Sequence, residues 1–222
     1  MMKSKFFKIS MCIALIALML VGCKNNNTDT DNMSDQPVEV NTEIESIASN
    51  YSFEVEYTQN GETENAKYKA MNGKLLYQGP YGLDLTDGIL IIDFNEQTYT
   101  IVTPEKKDAY KMRVNKSIYT FKQPEEFLIM DESLALSLDN EEKVNGRTVS
   151  TYVGQIQHDG SINEIKAKKD ESGLWVYYGE TDTSGNVITQ WKVNNLTFET
   201  VTEADFAIPE DYNFSDVSDL GM

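Results

Sequence analysis

Apolar and polar residues alternate along most of the chain from residue 51 onward, a period of two that belongs to strands with one face buried and one in water. Tyr51, Phe53, Val55 and Tyr57 stand between Ser52, Glu54, Glu56 and Thr58, and Asn60-Gly61 follows as a turn. A second run centres on Ala66, Tyr68 and Ala70 and ends at Asn72-Gly73. A third runs from Lys74 to Gln78, before Gly79-Pro80-Tyr81-Gly82 breaks the pattern. Asp87-Gly88 introduces Ile89-Leu90-Ile91-Ile92, Asn95-Glu96-Gln97 turns the chain, and Tyr99 to Val102 closes another hairpin before Pro104. Five strands joined mostly by tight turns are expected between residues 51 and 102.

The period changes in the middle of the chain. Pro124-Glu125-Glu126 opens a segment in which Phe127, Met130, Leu134 and Leu138 recur at helical spacing, with acids at its start where the helix dipole favours them. It predicts one helix, or two short ones broken near Ser133. Strand patterning then returns over Thr148 to Ile156, Ile162 to Lys168, Leu174 to Glu180, Val187 to Val193 and Leu196 to Val201. Upstream of the first strand, Thr42 and Glu45 form a capping box ahead of Ile44, Ile47 and Ala48, which predicts a short amphipathic helix. The whole reads as a mainly β (α+β) fold, an antiparallel meander with a few short helices. No internal period of roughly 20 to 50 residues is visible, so a solenoid or propeller is not expected.

The first residues have another texture. Lys3, Lys5 and Lys8 precede an apolar run from Ile9 to Val21, which is shorter than the roughly 20 residues a membrane span needs. Residues 1–22 are therefore expected to be a signal peptide. Leu20-Val21-Gly22-Cys23 resembles the lipobox of bacterial lipoproteins, and the resemblance implies that the Cys23 thiol carries a lipid and anchors the chain on the outer face of the cell membrane. The alternative is an ordinary secreted protein whose cysteine happens to follow the apolar run. Residues 23–41 are polar and hold almost nothing that offsets the entropy of ordering, so a flexible tether with an r.m.s. reach of roughly 21 to 25 Å is expected. Asp29, Asp31 and Asp35 do not make a calcium loop, because Met33 occupies a ligand position and the turn glycine is missing.

Composition narrows the function. The 222 residues carry 36 Asp and Glu against 19 Lys and Arg, a formal charge of −17. Loss of residues 1–22 removes three lysines and no acids, which carries −17 to −20. Such a surface is unsuited to a nucleic-acid backbone, so no nucleic-acid partner is expected. Two cysteines and one histidine leave little material for a zinc site, a disulfide framework or a histidine-based active site. His158 sits in the turn sequence Gln157-His158-Asp159-Gly160, where a solvent-exposed role is expected, and no serine stands in a nucleophile-elbow context. Carboxylate pairs such as Glu54 with Glu56 arise by chance in so acidic a chain. Neither an enzyme nor a bound cofactor or metal is expected.

The second half carries a family resemblance. Val144-Asn145-Gly146-Arg147-Thr148-Val149, Ser172-Gly173-Leu174, Asp182 to Gly185 and the closing Asp205-Phe206-Ala207-Ile208-Pro209-Glu210-Asp211-Tyr212 resemble the LolA/LolB-like lipoprotein-localisation superfamily. Trp175 departs from that pattern, standing where a proline is expected. The resemblance implies that residues 42–218 form a curled antiparallel sheet, a half-barrel whose mouth is covered by a few short helices. Twelve Tyr, nine Phe and two Trp supply such a sheet with aromatic surface. On that reading Phe53, Val55, Tyr57, Tyr68, Trp175 and Trp191 from the strands, with Phe127, Met130 and Leu134 from the covering segment, are the candidate lining of a groove for an acyl chain or another hydrophobic ligand. The expected function is that of a membrane-anchored carrier or sensor. The alternative is a cell-surface interaction module with a filled core, whose aromatic residues serve ordinary packing, bind wall sugars or meet an envelope protein partner.

Overall fold

In a computed structural model, the described residues are 49–80, 88–114, 121–130, 133–158 and 160–218. The chain divides into two compact units, Met1–Gln36 and Pro37–Met222, and every described residue belongs to the second. Cys23 and the helix expected after Thr42 lie outside the described residues.

Alternation becomes strand as the pattern dictates. The first six strands are β1 (Asn50–Gln59), β2 (Glu62–Met71), β3 (Lys74–Gln78), β4 (Ile89–Asp93), β5 (Thr98–Thr103) and β6 (Asp108–Arg113). They pair in sequence as an antiparallel meander. A second meander follows: β7 (Ser137–Val144), β8 (Arg147–His158), β9 (Ser161–Asp170), β10 (Trp175–Thr181) and β11 (Val187–Phe198). Antiparallel pairing of β1 with β11 fuses the two into one open, curled sheet. A last short strand, β12 (Asn213–Asp216), adds in parallel to β6, giving twelve strands in the order β12-β6-β5-β4-β3-β2-β1-β11-β10-β9-β8-β7. The mainly β half-barrel expected from the sequence is the observed fold class.

One face of the sheet holds the core. Phe53 stacks on its cross-strand partner Tyr68, with ring centroids 4.7 Å apart, and Tyr68 opposes Tyr77 on the next strand. Leu75 opposes Ile92, Tyr77 opposes Leu90, and all four are buried in the same cluster. Residues 121–130, from the connection between β6 and β7, pack on this inner face. They include the single-turn helix α1 (Glu125–Leu128), from which Phe127 and Leu128 are buried against the β1 to β4 aromatics. The other face is crossed by the chain after β11. There Lys69 pairs with Asp205 at 2.5 Å, Lys74 with Glu203 at 2.7 Å, and Lys107 with Asp211 at 2.6 Å. Asp205 also closes a capping box with Thr202. The stretch from Glu203 to Asp211 is thus a strap that ties β2 and β3 to Lys107, just before β6.

Three expectations are corrected. The segment from Pro124 to Leu138 is not a long helix: α1 stops at Leu128, Ile129 is already extended, and Leu138 stands on β7 with 56% of its surface exposed. Packing decides this, since the segment must reach from the β1 aromatics to β8. Gly154 on β8 makes room for it, because a Cβ there would lie 2.8 Å from both the Ala135 carbonyl and the Leu136 side chain. The two strands expected over Val187 to Val193 and Leu196 to Val201 are one strand, β11, which passes through a bulge. Between Ser52/Thr197 and Glu54/Asn194, β11 uses one residue more than β1, and Asn195 takes φ +54°, a conformation Asn tolerates well. Finally, β6, β7 and β12 form strands where none is expected from the pattern.

Candidate functional site

The inner face is not filled evenly. On the β1 to β5 side the aromatic residues are packed: Phe53 and Val55 are each 2% exposed, and Tyr68 is 1% exposed. Phe121 stacks on Tyr77 at 4.4 Å and closes that side from above. Burial pushes the phenols of Tyr68 and Tyr77 far above the ordinary tyrosine range, so both act as fixed donors. Tyr68 donates to the Lys122 carbonyl at 2.6 Å, and Tyr77 to the Pro80 carbonyl at 2.7 Å.

Toward β11 and β10 the packing opens. Trp191 stacks on Tyr178 of the neighbouring strand, with centroids 4.3 Å apart and planes 14° from parallel. Its indole N–H donates to the Phe127 carbonyl at 3.1 Å, and its ring meets the Phe127 ring edge-on at 6.1 Å. The covering segment is therefore hung from the sheet by two side-chain donors, Tyr68 and Trp191. Between it and the sheet lies a cleft of about 370 Å³. Tyr57, Tyr178 and Trp191 line the sheet side, and Phe127, Met130 and Leu134 line the covering side. At its rim the Lys122 ammonium sits 4.7 Å from the Tyr57 ring centroid and 3.3 Å from the Glu126 carboxylate. Beside it, burial raises the Glu125 carboxyl above its usual range.

Of the residues singled out from the sequence, the structure brings Tyr57, Phe127, Met130, Leu134 and Trp191 around this one cleft. Phe53, Val55 and Tyr68 lie in the packed floor next to it. Trp175 stands apart, edge-on to Tyr152 at 5.3 Å, with the Lys169 ammonium 5.2 Å from its ring. It packs on the smaller cluster of Met130, Ile165, Ala167 and Tyr178.

A second, polar cleft of about 600 Å³ adjoins the first, sharing Gln59 and Thr189 with it. Glu180 projects from β10 into this cleft and is only 6% exposed. Asn163 donates to its Oε1 at 2.6 Å and Tyr178 to its Oε2 at 3.2 Å, while His158 Nε2 stands 3.7 Å from Oε1. The Tyr178 phenol is held well above its ordinary range, first by burial and then by the Glu180 charge, and so remains a donor. His158 itself is mostly exposed, as its turn sequence leads one to expect. Glu180 and Asn163 are missing from the sequence-based candidates. The available signal is parity: Glu180 stands two residues from Tyr178 on one strand, a charged residue at an inward position. Among the described residues no group of three potential metal ligands is assembled and no helix is long and apolar enough to cross a membrane.

No protein-family model matches the sequence, and no curated protein matches it. Solved structures similar to the chain include an uncharacterized conserved protein from Thermus thermophilus, with a TM-score of 0.43 and 14% identity over 78% of this chain and 94% of that one. The Pseudomonas aeruginosa MucA/MucB complex aligns with a TM-score of 0.43 and 13% identity, over 72% of this chain and 56% of the matched one, so the alignment spans little more than half of that relative. A LolA superfamily protein from Nitrosomonas europaea aligns with a TM-score of 0.31 and 5% identity, over 72% and 90% of the two chains.

Proposed function

We propose that this protein is a lipid-anchored extracytoplasmic lipoprotein whose half-barrel binds a hydrophobic ligand, a lipid or acyl chain, as a carrier or sensor. The observation that carries the reading is the cleft between Trp191, Tyr178 and Tyr57 on the sheet and Phe127, Met130 and Leu134 on the covering segment. A curled sheet with a fully packed inner face has no such space, and here the space falls where apolar side chains face each other across it. Met130 suits chains of varied shape, because its unbranched thioether side chain adapts to its neighbours. The anchor rests on Cys23 and its preceding apolar run. The chemistry proposed is binding, carried by apolar contact across the cleft.

A second reading, an interaction module for an envelope protein, draws on a different observation. β7 forms one edge of the sheet, and each of its eight residues is exposed. Its unpaired backbone groups are an edge that another chain can extend.

Titration of the Pro37–Met222 unit, which contains every described strand and both apolar clusters, with an uncharged fluorescent long-chain alcohol separates the two. Saturable uptake that weakens about tenfold in Leu134→Trp, with the fold confirmed by circular dichroism, supports the ligand-binding reading. Absence of saturable uptake by the wild type overturns it in favour of the interaction module.

A further inference from the structure

The polar cleft is built around an acid that lacks a strong counter-ion. Glu180 is buried, and a carboxylate has about four acceptor sites, of which Asn163 and Tyr178 fill two. Among the described residues, the nearest basic nitrogen is His158 Nε2 at 3.7 Å, and the cleft is lined by no lysine or arginine. Asp182, also at its wall, adds a second negative charge, although its own oxygens are engaged by the Ser184 and Asn186 amides in a turn. Burying a carboxylate without a cation is costly, and partial hydrogen bonding offsets only part of that cost.

The position of this acid matters as much as its burial. Tyr178 lines the apolar cleft with its ring and reaches Glu180 with its hydroxyl, so the two clefts meet across a single side chain. Gln59 and Thr189 border both. A ligand whose tail lies along Trp191 and Met130 thus has its head delivered toward Glu180. An anionic head meets two carboxylates there, whereas an ammonium head brings a positive charge and up to three donors to the Glu180 carboxylate.

From this we infer that the ligand is an amphiphile with a cationic, amine-type head, read by Glu180 with Asn163 and His158, and with an apolar tail held in the neighbouring cleft. The inference rests on the hydrophobic-ligand reading above and specifies its chemistry.

The test compares three single-chain amphiphiles of equal length, each below its micelle concentration: dodecylammonium, dodecanol and dodecanoate. Wild-type protein is expected to bind dodecylammonium about tenfold or more tightly than dodecanoate at low ionic strength, with the ratio shrinking as salt is added. Glu180→Gln is expected to bring that ratio close to unity. Thr189→Lys provides a second route, because Thr189 lies directly opposite Glu180 in the β10–β11 pair and a lysine there supplies an internal ammonium. It too is expected to erase the preference. Uptake of all three with equal affinity, a preference for dodecanoate, or a preference for dodecylammonium that survives both substitutions overturns the head-group inference while leaving the apolar site standing. Uptake of none of the three overturns the ligand-binding reading and this inference with it.

Discussion

Tyr68 and Trp191 hold the same covering segment from two ends, and this makes their energetic contributions dependent on one another. Tyr68→Phe removes the donor to the Lys122 carbonyl, and Trp191→Phe removes the donor to the Phe127 carbonyl, five residues further along. Each loss costs about 1 to 2 kcal/mol, since a partly buried carbonyl is left short of a donor. Trp191→Phe costs more within that range, because a smaller ring also stacks less well on Tyr178. In a unit of this size each kcal/mol lowers the melting temperature by roughly 2 to 4 °C. Once one end is released, the other hydrogen bond restrains a segment that is already free to move. The double variant is therefore expected to be less destabilised than the sum of the two single ones, by about 0.5 kcal/mol or more. Urea unfolding of the wild type, both single variants and the double variant, followed by far-UV circular dichroism so that the loss of an indole does not alter the signal, gives the four free energies. Strict additivity, or a cost below about 0.5 kcal/mol for Tyr68→Phe, would refute the account of a segment hung from two points.

Cys23→Ala is expected to release the protein from membranes, since residues 23–41 offer no apolar stretch to replace a lipid; retention equal to wild type on fractionation, with signal cleavage confirmed, would sink the anchor. The Lys69 hydrogen bond, with those from Thr202, holds the Asp205 carboxyl below its usual value. A depressed folded-state value contributes stability that is fully present above the unfolded value of about 3.9 and is lost as pH falls through the folded one. Asp205→Asn is accordingly expected to be destabilising by about 1 kcal/mol at neutral pH and to converge with wild type in acid, as measured by denaturation across pH. An offset that persists unchanged in acid would show that the carboxylate charge is not what fastens the strap. The net charge of −17 makes the molecule repel itself, so melting midpoints are expected to rise between about 10 and 150 mM ionic strength; an unchanged midpoint would mean the charges are already compensated.

What the sequence makes legible follows burial. Strands β1, β4 and β9, packed on one face and wetter on the other, announce themselves by alternation, whereas β3, β5 and β10 are buried at three successive positions and show instead as apolar or aromatic runs between turns. β7, Ser-Leu-Asp-Asn-Glu-Glu-Lys-Val, is exposed along its whole length, so no face is selected and no period appears. β12 is silent for the same reason, since its four residues are exposed and its pairing with β6 is made by the backbone. The break read between Val193 and Leu196 is real as a local signal, because the Asn194-Asn195 pair marks the bulge; what the pattern lacks is that β1 carries the ladder across it. Leu134 and Leu138 mimic helical spacing although one packs against the small cluster and the other lies on an exposed edge strand. At the site, the apolar lining is visible as composition, but only the pairing of β10 with β9 and β11 shows that Glu180, Asn163 and Thr189 share one end of the groove.

The seam between β1 and β11 also sets an order of events in time. Each meander closes through neighbouring hairpins and can zip locally, whereas the seam joins Tyr51 to Phe198 and must wait until β11 has been made. A chain emerging from its N-terminus thus presents β1 with one side hydrogen-bonded to β2 and the other unoccupied, in what later becomes the middle of the sheet. Glu54 and Glu56 stand at alternate positions of that strand and project from one of its faces, and charge on a strand with a transiently open edge discourages a second nascent chain from docking there. In the finished sheet Glu54 also pairs with Lys67 and accepts from Asn195 at the bulge, so it serves the folded molecule too; Glu56 is the cleaner guard, and neutralising it alone is a change whose effect falls on the yield of folded protein rather than on the properties of the molecules that succeed.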